Sequence, residues 1–273
     1  MTESARPDQQ THDSDPGAGQ GGLPPAGVEL LPVAAADARA LLSAAEADWE
    51  APIIGCPAWD AEGLVRHVGG IFAWMAATIR SGERANRAEL GPVPEDAADL
   101  PPWYLGGLDS VLETMRQTDD GREIWNFSAT ETERNIGWWR RRLPVEVAVH
   151  RWDAQNALAT ADPDAPPADA LDGEVATAGI GEYLIHFLPR LLAQDGLEDW
   201  TGTLHLHATD GPVEWLVDLG AGGVAVPGHA KADTAIRATR SDLLLWLHNR
   251  ATAEPLEVFG DEAVLGHWQQ LQR

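Results

Sequence analysis

The hydrophobic period of the chain changes after Trp200, and this change constrains the fold more than any other feature. Over residues 31–193, apolar residues recur at three- and four-residue steps, which indicates amphipathic helices and carries no strand signature. After Trp200, apolar and polar residues alternate in Thr203-Leu-His-Leu-His-Ala and again in Glu214-Trp-Leu-Val-Asp-Leu, which is typical of half-buried strands. The sequence therefore predicts a helix bundle followed by a small α+β domain.

The predicted organisation has three parts. Residues 1–28 contain four prolines and five glycines, and apart from alanine their only aliphatic residues are Leu23 and Val28. Such a composition cannot bury enough apolar surface to offset the entropy lost on ordering, so we expect a disordered, acidic tail. The four-helix bundle with its following helix is expected over residues 29–197, and the α+β domain over residues 198–273.

Turn and capping signals give the expected ends of the elements. The bundle helices are expected at residues 32–49, 60–81, 102–115, 130–159 with a split or kink at Pro144, and 174–192. In the second domain we expect four strands near residues 203–208, 214–219, 224–226 and 234–237, a helix capped by Ser241 or Asp242, a short strand at residues 256–259, and a closing helix from Asp261 to Leu271.

Charge and cysteine content exclude several classes of protein. The chain has 43 acidic residues against 19 Lys and Arg, a formal charge of −24 that repels phosphate backbones and anionic lipid. Cys56 is the only cysteine, so no internal disulfide can form, which fits a reducing compartment. The longest nearly apolar stretch, residues 69–79, is far short of the roughly 20 residues that span a bilayer, and no secretory signal is present. We expect a cytoplasmic protein without nucleic-acid or membrane partners.

A carboxylate and an imidazole are four residues apart in the fourth predicted helix. Glu146 and His150 lie about 40° apart on one helix face, and Asp153 falls within about 20° of Glu146. The pair predicts a two-ligand metal platform that Asp153 supports, or else a hydrogen bond that stabilises a packing face. Glu182 and His186 share the same spacing, so the pattern alone does not decide between the two.

His67 lies in the middle of the second predicted helix, on the stripe of Leu64, Ile71 and Trp74 that faces the bundle core. A buried histidine is most simply satisfied by hydrogen bonds. If this helix packs beside Glu146 and His150, however, the two imidazoles and the carboxylate would give three ligands and one open position, the layout of a catalytic zinc site.

Several segments, in order, resemble the mycothiol-dependent maleylpyruvate isomerase family over about residues 30–270. In the bundle they are Gly55-Cys-Pro-Ala-Trp-Asp-Ala-Glu-Gly-Leu-Val-Arg-His, Glu146-Val-Ala-Val-His-Arg-Trp-Asp-Ala and Leu171-Asp-Gly-Glu. In the second domain they are Leu204-His-Leu-His-Ala-Thr-Asp, Glu214-Trp, Ala232-Asp, Asp242-Leu-Leu-Leu-Trp-Leu-His-Asn-Arg and Phe259-Gly-Asp.

This resemblance implies a DinB-like four-helix domain followed by a small domain similar to sterol-carrier folds. It also implies a divalent metal, usually zinc, on His67, Glu146 and His150, whereas Glu182 and His186 have no counterpart in that site. The implied activity uses mycothiol. Its thiolate, the nucleophilic form that a cation favours, adds to an electrophilic unsaturated small acid, for cis–trans isomerisation or for S-transfer.

Other functions stay open at this stage. They are metal-dependent hydrolysis, another thiol-independent reaction of specialised metabolism, and non-catalytic binding of a small molecule. The expected partners are a small-molecule substrate and a low-molecular-weight thiol, with the chain as a monomer or small homo-oligomer.

The remaining candidates concern cations, a thiol and two histidines. Arg250, favoured over Arg237, is expected to reach the cleft between the domains and bind a substrate carboxylate through its planar fork, as the family's second domain also supplies an arginine. Residues 140–142 are three consecutive arginines, which favour a solvated helix face over an anion site. Cys56 is expected to be a small buried thiol. His205 and His207 share a strand face without an evident partner.

Overall fold

The computed structural model describes residues 28–128, 130–193, 200–250 and 255–261, together with residues 263, 268 and 271. Residues 1–27 of the predicted tail and most of the predicted closing helix lie outside the described residues. The helices are α1 (Leu31–Ala47), α2 (Ala61–Ser81), α3 (Leu100–Gln117), α4 (Ile136–Ala161), α5 (Gly173–Glu182), α6 (Leu188–Leu192) and α7 (Arg240–Leu247). The strands are β1 (Thr203–Ala208), β2 (Glu214–Asp218), β3 (Val224–Pro227), β4 (Thr234–Ala238) and β5 (Glu257–Gly260).

Helices α1 to α4 form the bundle, in which α1 packs on α4 and α2 on α3. The predicted ends of α2 are confirmed. The side chain of Asp60 accepts a hydrogen bond from the Gly63 N–H, and Gly82 ends the helix in the left-handed region at φ 83°. The first core of the molecule fills the space between these four helices.

Helix α4 differs from its prediction at two places. It begins at Ile136 and not near Thr130, because the side chain of Asn135 caps it by accepting from the Gly137 and Trp138 N–H groups. It also runs on through Pro144, so the predicted split does not occur. Leu143 and Pro144 are buried, and this packing offsets the one backbone hydrogen bond that the proline removes.

The predicted helix at 174–192 consists of three consecutive segments. Helix α5 passes into a π-helical turn, Tyr183–Phe187, and then into α6. Such wide turns are frequent at functional sites because they rotate side chains out of the regular helical register. Helix α5 packs against α7, and its apolar residues belong to the second core, shared with the sheet. The apolar packing of the second domain therefore begins before the predicted boundary at residue 197.

The sheet has the order β3-β2-β1-β4-β5. Strands β1 and β4 are parallel, and the other neighbouring strands are antiparallel. Helix α7 is capped by Thr239, two residues before Ser241, the nearer of the two expected caps. The Thr239 hydroxyl accepts from the Asp242 N–H and donates to its carboxylate. The expected architecture of a helix bundle followed by a small α+β domain is confirmed. In the part of the chain that the structure describes, no helix is long and apolar enough to cross a membrane.

Candidate functional site

Two helices of the bundle bring the three predicted metal ligands together. His67 on α2 and His150 on α4 place their Nε2 atoms 3.3 and 3.5 Å from Oε1 of Glu146. The donor atoms of the three residues all lie within 4.8 Å of one another. The indole of Trp59 packs against the His67 ring, with 4.4 Å between ring centres, and covers one side of the group. We call these three ligand candidates the bundle cluster.

Asp153 fixes the orientation of His150. The Nδ1 atom of His150 donates to Asp153 Oδ2 over 2.9 Å, which leaves Nε2 directed at Glu146. The Asp153 side chain is completely buried. Burial alone would lower the pKa of His150, but its hydrogen bonds with Asp153 and Glu146 raise it to about 9. A carboxylate on the far nitrogen fixes an imidazole ring and raises its basicity, which is the supporting role that the sequence predicts for Asp153.

Arg142 joins Glu146 to a second buried carboxylate, Glu182 on α5. The guanidinium contacts Oε2 of Glu146 and donates to Oε2 of Glu182 over 3.2 Å. Burial would raise the pKa of Glu146, but Arg142 and the two imidazoles lower it well below its usual range. Burial raises the pKa of Glu182 to about 7. Because Arg142 holds Oε2 of Glu146, the other oxygen, Oε1, is the one that faces the imidazoles.

The arginine run differs from its prediction. Arg140 is buried and donates to the backbone carbonyls of Met115 and Thr118, and Arg142, whose side chain is only 16% exposed, lies beside the bundle cluster, so the run is not a solvated face. The sequence missed both roles because three consecutive residues point in three directions around a helix.

Arg250 connects the sheet domain to the bundle. Its Nε and Nη2 atoms donate to the two oxygens of Asp153, each over 3.2 Å, and Nη2 also lies 3.1 Å from the sulfur of Cys56. In this structure the planar fork that was expected to bind a substrate carboxylate thus holds Asp153. Cys56 is half-buried, and burial raises the pKa of its thiol.

A cavity of about 350 Å³ opens beside Glu146 and His150, between the bundle and the sheet domain. Its polar lining consists of these two ligands, three arginines and one further histidine, and its apolar lining comes from α4, the π-helical turn, α6 and Leu271. The residues are Arg142, Val145, Glu146, Val149, His150, Tyr183, Phe187, Arg190, Leu191, His248, Arg250 and Leu271. A cavity of this size that is lined by three arginines suits a small anionic molecule.

His248 is a residue of this cavity that sequence reasoning missed. Its Nε2 atom is buried and makes no hydrogen bond with any residue that the structure describes. Burial, together with the cationic Arg250 and Arg142, lowers the pKa of His248 to about 3, so the ring is neutral. Asn249, in the left-handed region at φ 53°, separates His248 from Arg250, and both line the cavity. The only sequence feature that could have indicated a role for His248 was a predicted helix end followed by an asparagine.

Arg237 lies away from the cavity. It is on β4, where its exposed side chain pairs with Glu257 over 3.4 Å, and the residues that line the cavity do not include it. Its alternation with the buried Ile236 and Ala238 places it on the sheet face turned away from the helices. The expected contact between Arg237 and a substrate in the cleft therefore finds no support in this geometry.

His205 and His207, which lacked an evident partner in the sequence, both lie near Glu214 in the fold. His207 lies opposite Glu214 across strands β1 and β2, and His229 contacts the same carboxylate. The sequence could not reveal this group because strand pairing and a later turn assemble it.

Comparison with known families identifies the chain. Residues 31–155 match the family model of the mycothiol maleylpyruvate isomerase N-terminal domain, and residues 174–267 match that of the MDMPI C-terminal domain. The chain belongs to the mycothiol-dependent maleylpyruvate isomerase family. The resemblance found in the sequence is thereby confirmed. The bundle cluster lies within the first matched region, and Arg250 lies within the second.

A solved structure of this family shares the fold. It is a crystal structure of a histidine-to-alanine mutant of mycothiol-dependent maleylpyruvate isomerase, which is 12% identical to this chain, with a TM-score of 0.53. The match covers 84% of this chain and 91% of that chain. A comparison with curated proteins gives no significant match.

Proposed function

We propose that the protein is a divalent-metal-dependent enzyme that uses mycothiol to attack an electrophilic, unsaturated small acid. The product is either the trans isomer of that acid or a mycothiol S-conjugate. The observation that carries this proposal is the convergence of His67, Glu146 and His150 beside a cation-lined cavity, in a chain of this family.

The donor set fits zinc. Two imidazole nitrogens and one carboxylate oxygen are common zinc ligands, and three protein ligands with one free position are typical of catalytic sites. Only one oxygen of Glu146 is free for a cation, because Arg142 takes the other. A cation in this position would supply the positive charge that favours the thiolate form of an incoming thiol.

The chain's own groups orient the ligands and receive the acid. Asp153 holds the His150 ring, and Arg142 holds Glu146, so neither ligand has to reorganise when the site is filled. Arg190 donates to the neutral carbonyl of Phe127, so its positive charge on the cavity wall can attract a carboxylate. The buried Nε2 atom of His248 offers a hydrogen-bonding partner to a polar substrate atom.

The attacking thiol comes from outside the chain in this proposal. Burial raises the pKa of the Cys56 thiol, which keeps it protonated and weakly nucleophilic at neutral pH. Its sulfur lies 3.1 Å from Nη2 of Arg250, which also donates to Asp153. Cys56 therefore has a packing role, and an added low-molecular-weight thiol supplies the nucleophile.

Thiol dependence tests the proposal. We expect turnover of maleylpyruvate-like acids or other electrophiles only when mycothiol is supplied, and we expect Cys56→Ala to retain it. In the cobalt-substituted protein, mycothiol should add a sulfur-to-metal charge-transfer band in the near ultraviolet. Full turnover in thiol-free buffer, with a cobalt spectrum that ignores mycothiol, would contradict the proposal and favour metal-dependent hydrolysis.

A further inference from the structure

A second group of potential metal ligands lies on the solvent-facing side of the sheet. It consists of His205 and His207 on β1, Glu214 on β2 and His229 shortly after β3. His207 Nδ1 lies 2.8 Å from Glu214 Oε1, and His229 Nδ1 lies 2.9 Å from Glu214 Oε2. All four donor atoms are within 4.8 Å of one another. We call this group the sheet cluster.

His205 gives an independent indication that the sheet cluster binds an ion. The residue is only 5% exposed, yet its Nε2 atom is buried and makes no hydrogen bond within the described residues. Glu214 Oε2 is 3.5 Å from this nitrogen. Buried polar atoms are nearly always paired, and a bound ion is one of the few explanations for an exception.

We propose that the sheet cluster binds a zinc ion through three imidazoles and one carboxylate oxygen. Zinc at about 2.05 Å from four tetrahedral ligands separates neighbouring donor atoms by about 3.3 Å. His229 and His205 lie 2.9 and 3.5 Å from Oε2 of Glu214, and His207 lies 2.8 Å from the other oxygen, Oε1, so each of these contacts is close to that separation. Small side-chain rotations would therefore be enough to seat the ion.

The position of the sheet cluster indicates a structural site. Leu204 and Leu206 of β1 face the core that the sheet shares with α5 and α7, so the alternating His205 and His207 face the opposite side. The residues that line the cavity include none of the sheet cluster. Four protein ligands also complete a tetrahedral zinc site and leave no position for a substrate.

Zinc at the sheet cluster would join three parts of the sheet. His207 is the cross-strand partner of Glu214, and the Gly228 N–H donates to the Glu214 carbonyl next to His229. The ion would tie the central strand β1 to β2 and to the end of the edge strand β3. Arg237, beside His207 on β4, is balanced by its ion pair with Glu257 and does not leave an uncompensated charge near the ion.

Zinc binding in a His150→Ala background isolates the sheet cluster from the bundle cluster. The full chain carrying His150→Ala is stripped with a chelator, reloaded with Zn²⁺, desalted and analysed for zinc. The same protein with His207→Ala and His229→Ala added serves as the test. His229 has a side chain that is 77% exposed and His207 one that is 29% exposed, so neither change removes core packing.

We expect the His150→Ala protein to retain one more zinc ion per chain than the triple variant. In chelator competition, the added changes should weaken this binding by more than about 100-fold, since removing a group that only orients a ligand already costs roughly 10- to 100-fold. Glu257→Gln, which alters a carboxylate on the same sheet outside the cluster, should not change zinc content. Equal zinc content and affinity in the His150→Ala protein and the triple variant would overturn the proposal.

Discussion

The bundle cluster and the sheet cluster both place imidazoles around one carboxylate, but their surroundings differ. In the bundle cluster, Arg142 holds one oxygen of Glu146 and Asp153 holds the far nitrogen of His150. In the sheet cluster, both oxygens of Glu214 face imidazoles, and His229 is largely exposed. A cavity of about 350 Å³ borders the first cluster and not the second.

This difference separates two uses of the same ligand types. The bundle cluster has three ligands, buried neighbours that fix their orientation, and a cavity beside them. This arrangement suits chemistry on a bound substrate. Four ligands on the outer face of a sheet suit a structural cross-link. The candidate catalytic site is therefore recognised less by its ligands than by the arginines, the aspartate and the space around them.

The largest expected difference between the clusters is in turnover. His150→Ala removes a ligand of the bundle cluster, and we expect mycothiol-dependent activity to fall by about 1,000-fold or more, since electrophilic assistance by a metal contributes several kcal/mol. His229→Ala, in the sheet cluster, should cost far less activity. Steady-state kinetics with metal analysis of each variant checks this. Equal losses in the two variants would show that the clusters do not differ in function.

The support around the ligands should have the next largest effect. Asp153→Asn keeps the shape of the side chain but removes the charge that fixes His150, so we expect the bundle cluster to bind zinc roughly 10- to 100-fold more weakly. Asp37→Asn is the matched control. Asp37 is a carboxylate on α1 that pairs with Arg151 of α4 and not with His150. Chelator competition measures both. Unchanged affinity in Asp153→Asn would mean that His150 is oriented by packing alone.

The parts of the fold that depend on local sequence could be predicted. Helix α2 has its cap at Asp60 and its stop at Gly82 as the sequence indicates, because both signals act within one turn. The change of period after Trp200 likewise located the sheet. Helix α4 was harder, because its passage through Pro144 depends on burial in the packed molecule.

In the candidate site, too, local features could be predicted from the sequence and contacts between distant segments could not. The four-residue spacing of Glu146 and His150 is local. The apolar stripe around His67 made it a conditional third ligand, which the family resemblance then supported. The bridge that Arg142 makes to Glu182 was missed because Glu182 is 40 residues away, on another helix. The sheet cluster was missed because strand pairing and a turn bring its members together. Contacts between distant segments need the tertiary structure.

A smaller effect is expected at the contact between the domains. Arg250→Lys keeps the charge but cannot donate to both oxygens of Asp153 in the planar geometry of a guanidinium. Losing one such charged hydrogen bond corresponds to about tenfold in kcat/KM. Arg237→Lys on the sheet should change kcat/KM little, because Arg237 pairs with Glu257 at the surface. Thermal melts of both variants check that stability is unchanged. An equal loss of activity in Arg250→Lys and Arg237→Lys would contradict the functional difference between the cavity and the sheet.

The last prediction concerns the pH dependence of folding on the cavity side. Burial, with Arg250 and Arg142 nearby, lowers the pKa of His248 from 6.5 to about 3 in the folded chain. The unfolded chain therefore takes up a proton near pH 6.5 that the folded chain takes up only near pH 3. Between these values the unfolded state binds more protons, so this residue's contribution to the free energy of unfolding is complete above pH 6.5. It is lost as the pH falls, by up to about 1.4 kcal/mol per pH unit.

His248→Gln removes this titration while keeping a polar side chain of similar reach. Denaturant unfolding of the metal-free proteins between pH 7.5 and about pH 4 should give the variant a shallower loss of stability on acidification than the wild type. The metal-free form is required because protons also compete with zinc for His67 and His150. If the two curves run parallel below pH 6.5, then the Nε2 atom of His248 is accessible to protons in the folded chain. The cavity side would in that case be as open to solvent as the sheet cluster, and the contrast between the two regions would rest on their ligands alone.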